Sequence, residues 1–453
     1  MNDADAAAGA AAAADTTEII VTGTNIRTPN LTSPVPVTSI TAATLLATGN
    51  LSLGDALDDL PALRSTFSQA NSTQFIGTSG VNFLDLRGLG VQRTLVLVNG
   101  RRHVTSSPGD YLVDTNTIPD DLLERVDIIT GGSSAVYGTD AMAGVVNFVL
   151  KQNFDGFRVT GQGGISSRHD RGSYFGSAAY GKNFNENRGN IAVAAEYARQ
   201  NALYNVDRDA ETGAFSGRPQ FNQQEDLSDP ANLSDGISNF GFYTGVRNGS
   251  ISDGGELTAV CNAANVNNLA RCRTSGFAQR YMFQPDGTLV MSNPTLDFRD
   301  ITAGGSSNTI GGLGSTLRNS GQLDPKLERF SVNLLGHYDI SDALTPFVEA
   351  KYVRIRANQE GQPSFFQGSI PGFFGGGFDL RCNNPYLSAQ ALQTLQSIGR
   401  CANPATGTFT MSRFNVDFGG RGELEKRDTY RIVGGVRGNF LDTWHYEVAA
   451  NYG

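Results

Sequence analysis

Residues 81–102 read VNFLDLRGLGVQRTLVLVNGRR, and residues 118–151 read IPDDLLERVDIITGGSSAVYGTDAMAGVVNFVLK. These two stretches decide the fold of the first third of the chain. Residues 83–87 alternate apolar and polar side chains, which predicts a strand that turns at Gly88 and Gly90. Residues 93–98 are a second predicted strand. Asn99-Gly100 behind it is the strongest two-residue hairpin signal, because a type I′ turn needs positive φ at both positions. Residues 101–104 are the return strand. Pro119 opens a predicted short helix over PDDLLERV. Residues 127–130 and 144–150 read as strands flanking the glycine-rich segment 131–138. That segment invites a phosphate-loop reading, but no Lys-Ser/Thr pair follows its last glycine, and Gly88-Leu89-Gly90 lacks the third glycine of a dinucleotide site. Both read as tight turns, and a nucleotide cofactor is not expected.

Upstream, apolar residues at 53, 56, 57, 60 and 63 have helical spacing, with Ser52 as N-cap and Pro61 as terminator. Residues 65–80 are polar and aperiodic and read as a loop. Residues 17–23 read TEIIVTG, either an ordinary first strand or an exposed peptide able to add to the edge of a partner's sheet. Residues 6–14, AAAGAAAAA, are either the remnant of a signal peptide or a flexible leader.

The two long motifs resemble the plug domain of TonB-dependent outer-membrane receptors, and residues 17–23 are similar to the family's TonB box. The resemblance implies an α+β plug domain followed by antiparallel transmembrane β-barrel strands, in a barrel of about 22 strands when complete. It implies a leader at 1–27, a plug at 28–151 and part of an outer-membrane barrel at 152–453. It also implies energy coupling through Glu18, Ile19, Ile20, Val21, Thr22 and Gly23 to a TonB-type protein in the periplasm. Plug–barrel contacts fall on Arg87 and Arg125, with acidic partners on strands beyond this chain. Gly88, Gly90, Asn99, Gly100, Glu124, Gly131, Tyr137 and Gly138 are the plug's structural positions. The plug's apical loops place Asn71, Gln74, Arg102 and Asp110 as ligand candidates, against the alternative of ordinary solvated loop.

Composition agrees with a membrane barrel. The chain has 54 glycines in 453 residues, 17% charged residues and a net charge of −9, against ~7% glycine and ~25% charge in ordinary globular proteins. No run of 18 apolar residues exists, so no transmembrane helix is expected. The scattered arginines of an acidic chain give no footprint for nucleic acid.

Beyond residue 151, seven segments alternate with period two: 157–165, 174–184, 190–197, 330–338, 344–352, 430–436 and 444–452. One face is apolar and the other polar, as lipid outside and lumen inside require. A soluble β-sandwich alternates too. Seven strands cannot close a bacterial barrel, which has an even number. Long connections at about 201–326 and 357–425 read as extracellular loops. Each holds two cysteines, and the local pairing Cys261 with Cys272 and Cys382 with Cys401 is favoured among three possibilities, implying an oxidising compartment. Cysteine spacing and four dispersed histidines give no metal site, and no nucleophile–base set suggests an enzyme. Residues 362–380 place Phe365, Phe366, Phe373 and Phe374 in a glycine-rich setting, either as a small self-packed core or as a stacking surface for a ligand. The expectation is active transport of a scarce nutrient by a monomer in the outer membrane, a saccharide or other organic nutrient being favoured over a ferric siderophore. The alternative is a secreted β-rich interaction or adhesion protein.

Overall fold

A computed structural model describes residues 36–74, 77–107, 109, 111–208, 221–225, 240–249, 251–257, 280–297, 308–316, 321–366, 378–440 and 444–453. The N-terminal unit is a five-stranded sheet built from β1 (Val37–Thr41), β2 (Thr94–Val98), β3 (Arg101–Arg102), β4 (Leu123–Thr130) and β5 (Gly144–Leu150). Its order is β1-β4-β5-β2-β3. β2 and β5 run parallel and the other pairs antiparallel. β2 is buried along its whole length, so its continuous apolar run fits a strand covered on both faces. One side packs on the helix Leu53–Asp58 through Leu57, Leu84, Val126 and Phe148, and the other on Ala141 and Tyr137. The β2–β3 connection is the two-residue turn, with Asn99 at φ 52° and Gly100 at φ 73°.

Three local expectations change. No helix starts at Pro119, where a turn leads into β4, an eight-residue strand that begins at Leu123. Pairing with β5 and burial of Val126, Ile128 and Ile129 outweigh the helical propensity of DDLLER. Residues 83–87 form no ladder strand and carry only the isolated bridges Phe67↔Phe83 and Leu63↔Leu86. Asp85 is the reason: its carboxylate accepts from Gly90 N at 2.8 Å and Thr66 Oγ1 at 2.6 Å, holding the chain in a turn instead of a ladder. The helix expected over 52–63 covers only Leu53–Asp58, and Ser52 Oγ accepts from Asn82 rather than capping it.

The second unit is a seven-stranded antiparallel meander. Its strands are β6 (Gly156–Ile165), β7 (Gly172–Phe184), β8 (Gly189–Gln200), β9 (Lys326–Tyr338), β10 (Thr345–Pro363), β11 (Gly420–Phe440) and β12 (Trp444–Tyr452). All seven expected segments fall in this one sheet, and β10 and β11 run on to 19 and 21 residues. Successive connections alternate between the two ends. One end holds the turns at 185–188 and 339–344. The other holds 166–171 and both long connections. Burial alternates strictly along β8: Asn190, Ala192, Ala194, Glu196 and Ala198 face the plug, while Ile191, Val193 and Tyr197 face outward. β6 and β12 form the two edges of the described sheet.

The long connections are not independent loops. Arg280–Phe283, Leu289–Ser292 and Glu256–Leu257 from the first join Thr408–Phe414, Phe365–Phe366 and Phe378–Arg381 from the second in a single sheet. The helix Ala389–Ser397 closes it, and Ala391, Leu395, Leu257, Leu289 and Phe409 form its core with the Cys382–Cys401 disulfide. Cys261 and Cys272 lie outside the described residues.

Candidate functional site

The plug unit is seated on the inward face of β6–β12. Close approach is possible because that face is lined with small residues at the contact: Ala179, Ala192 and Ala194 join the plug's own apolar core. Around them the contact is polar and charged.

The hairpin tip makes one cluster. Asn99 Nδ2 donates to Glu349 Oε1 at 2.8 Å, while its Oδ1 accepts from Leu150 N at 2.8 Å. The Arg101 guanidinium pairs with both Glu349 and Glu447 and stacks over the Phe347 ring at 5.0 Å. Arg431 completes the set, 3.1 Å from the other Glu349 oxygen. Its Nη2 and Asn451 Nδ2 both donate to the Arg102 carbonyl. His103, 7% exposed, is held neutral by burial and by Lys351 beside it, and its Nε2 has no partner.

The second cluster is built on the Asp120-Asp121 turn. Asp120 pairs with Arg329, both almost fully buried. Glu196 Oε1 accepts from Asp121 N at 2.9 Å and its Oε2 from Ser331 at 3.2 Å. Lys351 Nζ donates to the Thr117 carbonyl at 2.7 Å. Burial pushes the Asp120 carboxyl above the usual carboxylate range, and Arg329 opposes that rise. The turn at 120–121 presents a carboxylate to Arg329 and a backbone N–H to Glu196 on the sheet.

A third set lies nearer the long-loop end. Gln359 donates to the Thr73 carbonyl at 2.9 Å, Arg427 to the Ser79 carbonyl at 2.8 Å, and Gly77 N to Glu423. Asp114, fully buried, faces Arg427 at 3.9 Å. Between the first two clusters, Val98, Leu150, Leu335 and Lys351 border a small cavity of about 20 Å³.

The sequence-derived positions distribute as follows. Arg87 adopts φ 57° and donates to the Thr130 carbonyl at 3.4 Å. Arg125 pairs with Glu124 and Asp127. Among the described residues the partners of both arginines are within the plug, and the contacts to the sheet are made by Arg101, Asp114 and Asp120. Gly88, Gly90 and Gly138 all have positive φ. Gly131 starts the turn, and Tyr137 packs beside Leu95 and Leu97. Asn71 Nδ2 donates to the Ser65 carbonyl within its own loop, and Gln74 ends the same short 3-10 helix. The Arg102 side chain turns to Asp140 and the Tyr137 carbonyl, so it does not join Asn71. Phe365 packs edge-on against Phe414 at 5.7 Å with Arg421 over its ring, and Phe366 pairs in register with Arg413. Residues 18–23, Asp110, Phe373 and Phe374 lie outside the described residues. No group of three or more His, Cys, Asp or Glu is placed to hold a metal among the described residues.

The gripping residues missed from sequence had one readable signal. Arg329, Glu349, Lys351 and Arg431 are charged residues on the inward face of strands, a placement that only a polar lumen or a charged partner tolerates.

Residues 29–145 match the family described as TonB-dependent Receptor Plug Domain. A 77-residue stretch is 39% identical to the ferric enterobactin receptor of Pseudomonas aeruginosa, over 15% of this chain and 10% of that protein. A crystal structure of a variant of the Pseudomonas aeruginosa ferric enterobactin receptor in complex with enterobactin aligns at TM-score 0.38 and 12% identity, over 92% of this chain and 49% of that one. The siderophore receptor PiuA from Acinetobacter baumannii aligns at TM-score 0.38 and 12% identity, over 94% and 46%. The chain thus spans about a tenth of the curated relative in its match and about half of each solved structure. Residues 29–145 thus match the plug domain of TonB-dependent receptors, and in the structure they are seated on antiparallel strands that alternate between an apolar and a polar face.

Proposed function

We propose that the protein imports a scarce nutrient across the bacterial outer membrane by TonB-dependent active transport. The observation that carries this reading is the nature of the plug–sheet contact. It is made by ion pairs and by side chains donating to plug carbonyls, all of which water can replace, around a small alanine-lined centre. A contact of that kind yields to a pulling force more readily than a continuous apolar core would. Residues 1–27 are the leader, 28–151 the plug and 152–453 barrel with extracellular loops.

In this reading residues 18–23 pair as a strand with a TonB-type protein in the periplasm, and the pull displaces part of the plug. The chain acts as a monomer, without a cofactor and without covalent chemistry. Ile20→Pro removes a ladder donor; uptake should be lost with ligand binding intact, and unchanged uptake would reject the assignment of the box.

The substrate class we propose is a ferric siderophore, supported by the name of the curated relative. A saccharide has no observation in its favour: Phe365 packs against Phe414 and Arg421 rather than standing free as a stacking wall. Titration with ferric siderophores and with glycans separates the two, and binding of glycans alone would overturn the proposal.

A further inference from the structure

The outward residues of four neighbouring strands line up in rows. Val193, Leu334, Ala350 and Ile432 share one row, and Ala195, Val332, Tyr352 and Tyr430 the next toward the long loops. Tyr197, Phe330, Arg354 and Asp428 follow, and then Arg199, Glu328, Arg356 and Lys426. The surface therefore changes from apolar through aromatic to cationic over three successive rows. From Val348 to Arg356 is eight residues, about 26 Å of strand at ~3.3 Å each. At the usual tilt that is about 20 Å along the membrane normal, close to the ~25 Å apolar band of such barrels. The cations consequently emerge at the level of the lipid headgroups.

Their charge is not internally cancelled. Arg354 is matched by Asp428 at 2.7 Å. Arg199 and Lys326 share Glu328 at 3.8 and 3.4 Å, and Lys426 lies 3.8 Å from the already paired Asp428. Arg356 is exposed and pairs with no acid among the described residues. Five cations stand against two carboxylates on a face that otherwise meets hydrocarbon, in a chain whose net charge is −9. Neighbouring strands are ~4.8 Å apart, so Arg199 and Arg356 are separated by about 10 Å, with Lys426 one strand further on.

We propose that Arg199, Arg356 and Lys426 bind the phosphate groups of a phosphorylated lipid headgroup in the outer leaflet, a site distinct from the plug and from any transported ligand. The aromatic row beneath, with Tyr197 and Phe330, takes the region where acyl chains meet the headgroup. Arg354 is excluded because Asp428 already satisfies it. The inference rests on the outer-membrane reading above.

The test uses the intact receptor, extracted into a neutral detergent, and lipopolysaccharide as the probe in its phosphorylated and enzymatically dephosphorylated forms. The phosphorylated form should bind more tightly. The triple variant Arg199→Ala/Arg356→Ala/Lys426→Ala should lose about fivefold per removed cation, the usual worth of a basic residue at an anionic surface, or roughly a hundredfold in all. The variant Arg199→Lys/Arg356→Lys, which keeps the charge and the fold, should retain binding. Lys182→Ala, which removes an outward cation in register with Ile191 at the short-turn end, should change nothing. Equal binding of the dephosphorylated lipid, unchanged binding by the triple variant, or equal competition by inorganic phosphate would each overturn the site. Recovery of the protein outside the outer membrane would instead overturn the transport reading, so the two failures are distinguishable.

Discussion

Asp58 ends the plug helix Leu53–Asp58 with neither carboxylate oxygen hydrogen-bonded. Burial, with Asp55, Asp59 and Asp85 nearby, pushes its carboxyl up to about 7. A folded-state value above the unfolded one means that the folded plug holds a proton the unfolded chain releases. The resulting stabilisation is complete below the ordinary carboxylate value and is lost as pH rises through about 7. Asp58→Asn should therefore stabilise the plug at pH 8 and have little effect at pH 4. Urea denaturation followed by amide exchange in residues 53–58 checks it, and an equal effect at both pH values would reject the cause. Asp85 was a better-hidden residue. Its role in shaping the Arg87-Gly88 turn follows from two hydrogen bonds that close only in three dimensions, so the local alternation of FLDLR suggested a strand.

Among the elements, the β2–β3 hairpin was readable because its cause is local: Asn99 and Gly100 tolerate the positive φ that a type I′ turn demands. The strand over 123–130 has no local signal because its cause is distant: Arg329 lies 209 residues from Asp120, and Glu196 lies 75 residues from Asp121. The long-loop unit shows the same contrast. The disulfide was favoured from spacing, yet the sheet that joins residues 256–292 to 365–414 has no sequence signal. Cys382 and Cys401 are 19 residues apart, and replacing both by serine should destabilise this unit by about 3 kcal/mol, the order expected for a loop of that length. Faster amide exchange in the helix Ala389–Ser397, with unchanged exchange in β8–β11, is the expected result. Loss of protection throughout the sheet would show that the loops fold together with the barrel strands.

For the molecule as a whole, the plug and sheet are joined by charges whose removal is asymmetric in cost. Arg329→Ala leaves Asp120 buried without its partner, which typically costs ~3–5 kcal/mol. Protease protection of the plug should then be lost at a lower urea concentration while the sheet retains its own. Arg125→Ala, whose partners are within the plug, should leave the docking unchanged. If the two variants behave alike, the Asp120–Arg329 pair does not hold the plug.

By itself the sequence determined the α+β character of the first unit, its Asn99-Gly100 hairpin, the seven alternating strands and the plug motifs. Those properties come from period, turn chemistry and motif order, which act over a few residues at a time. Only the tertiary structure decided which charges hold the plug, that the two long connections form one sheet, and that the outward cations stand in register above the apolar rows. Each of these depends on strand pairing across long separations, and a shift of one residue in register would turn every such side chain to the opposite face.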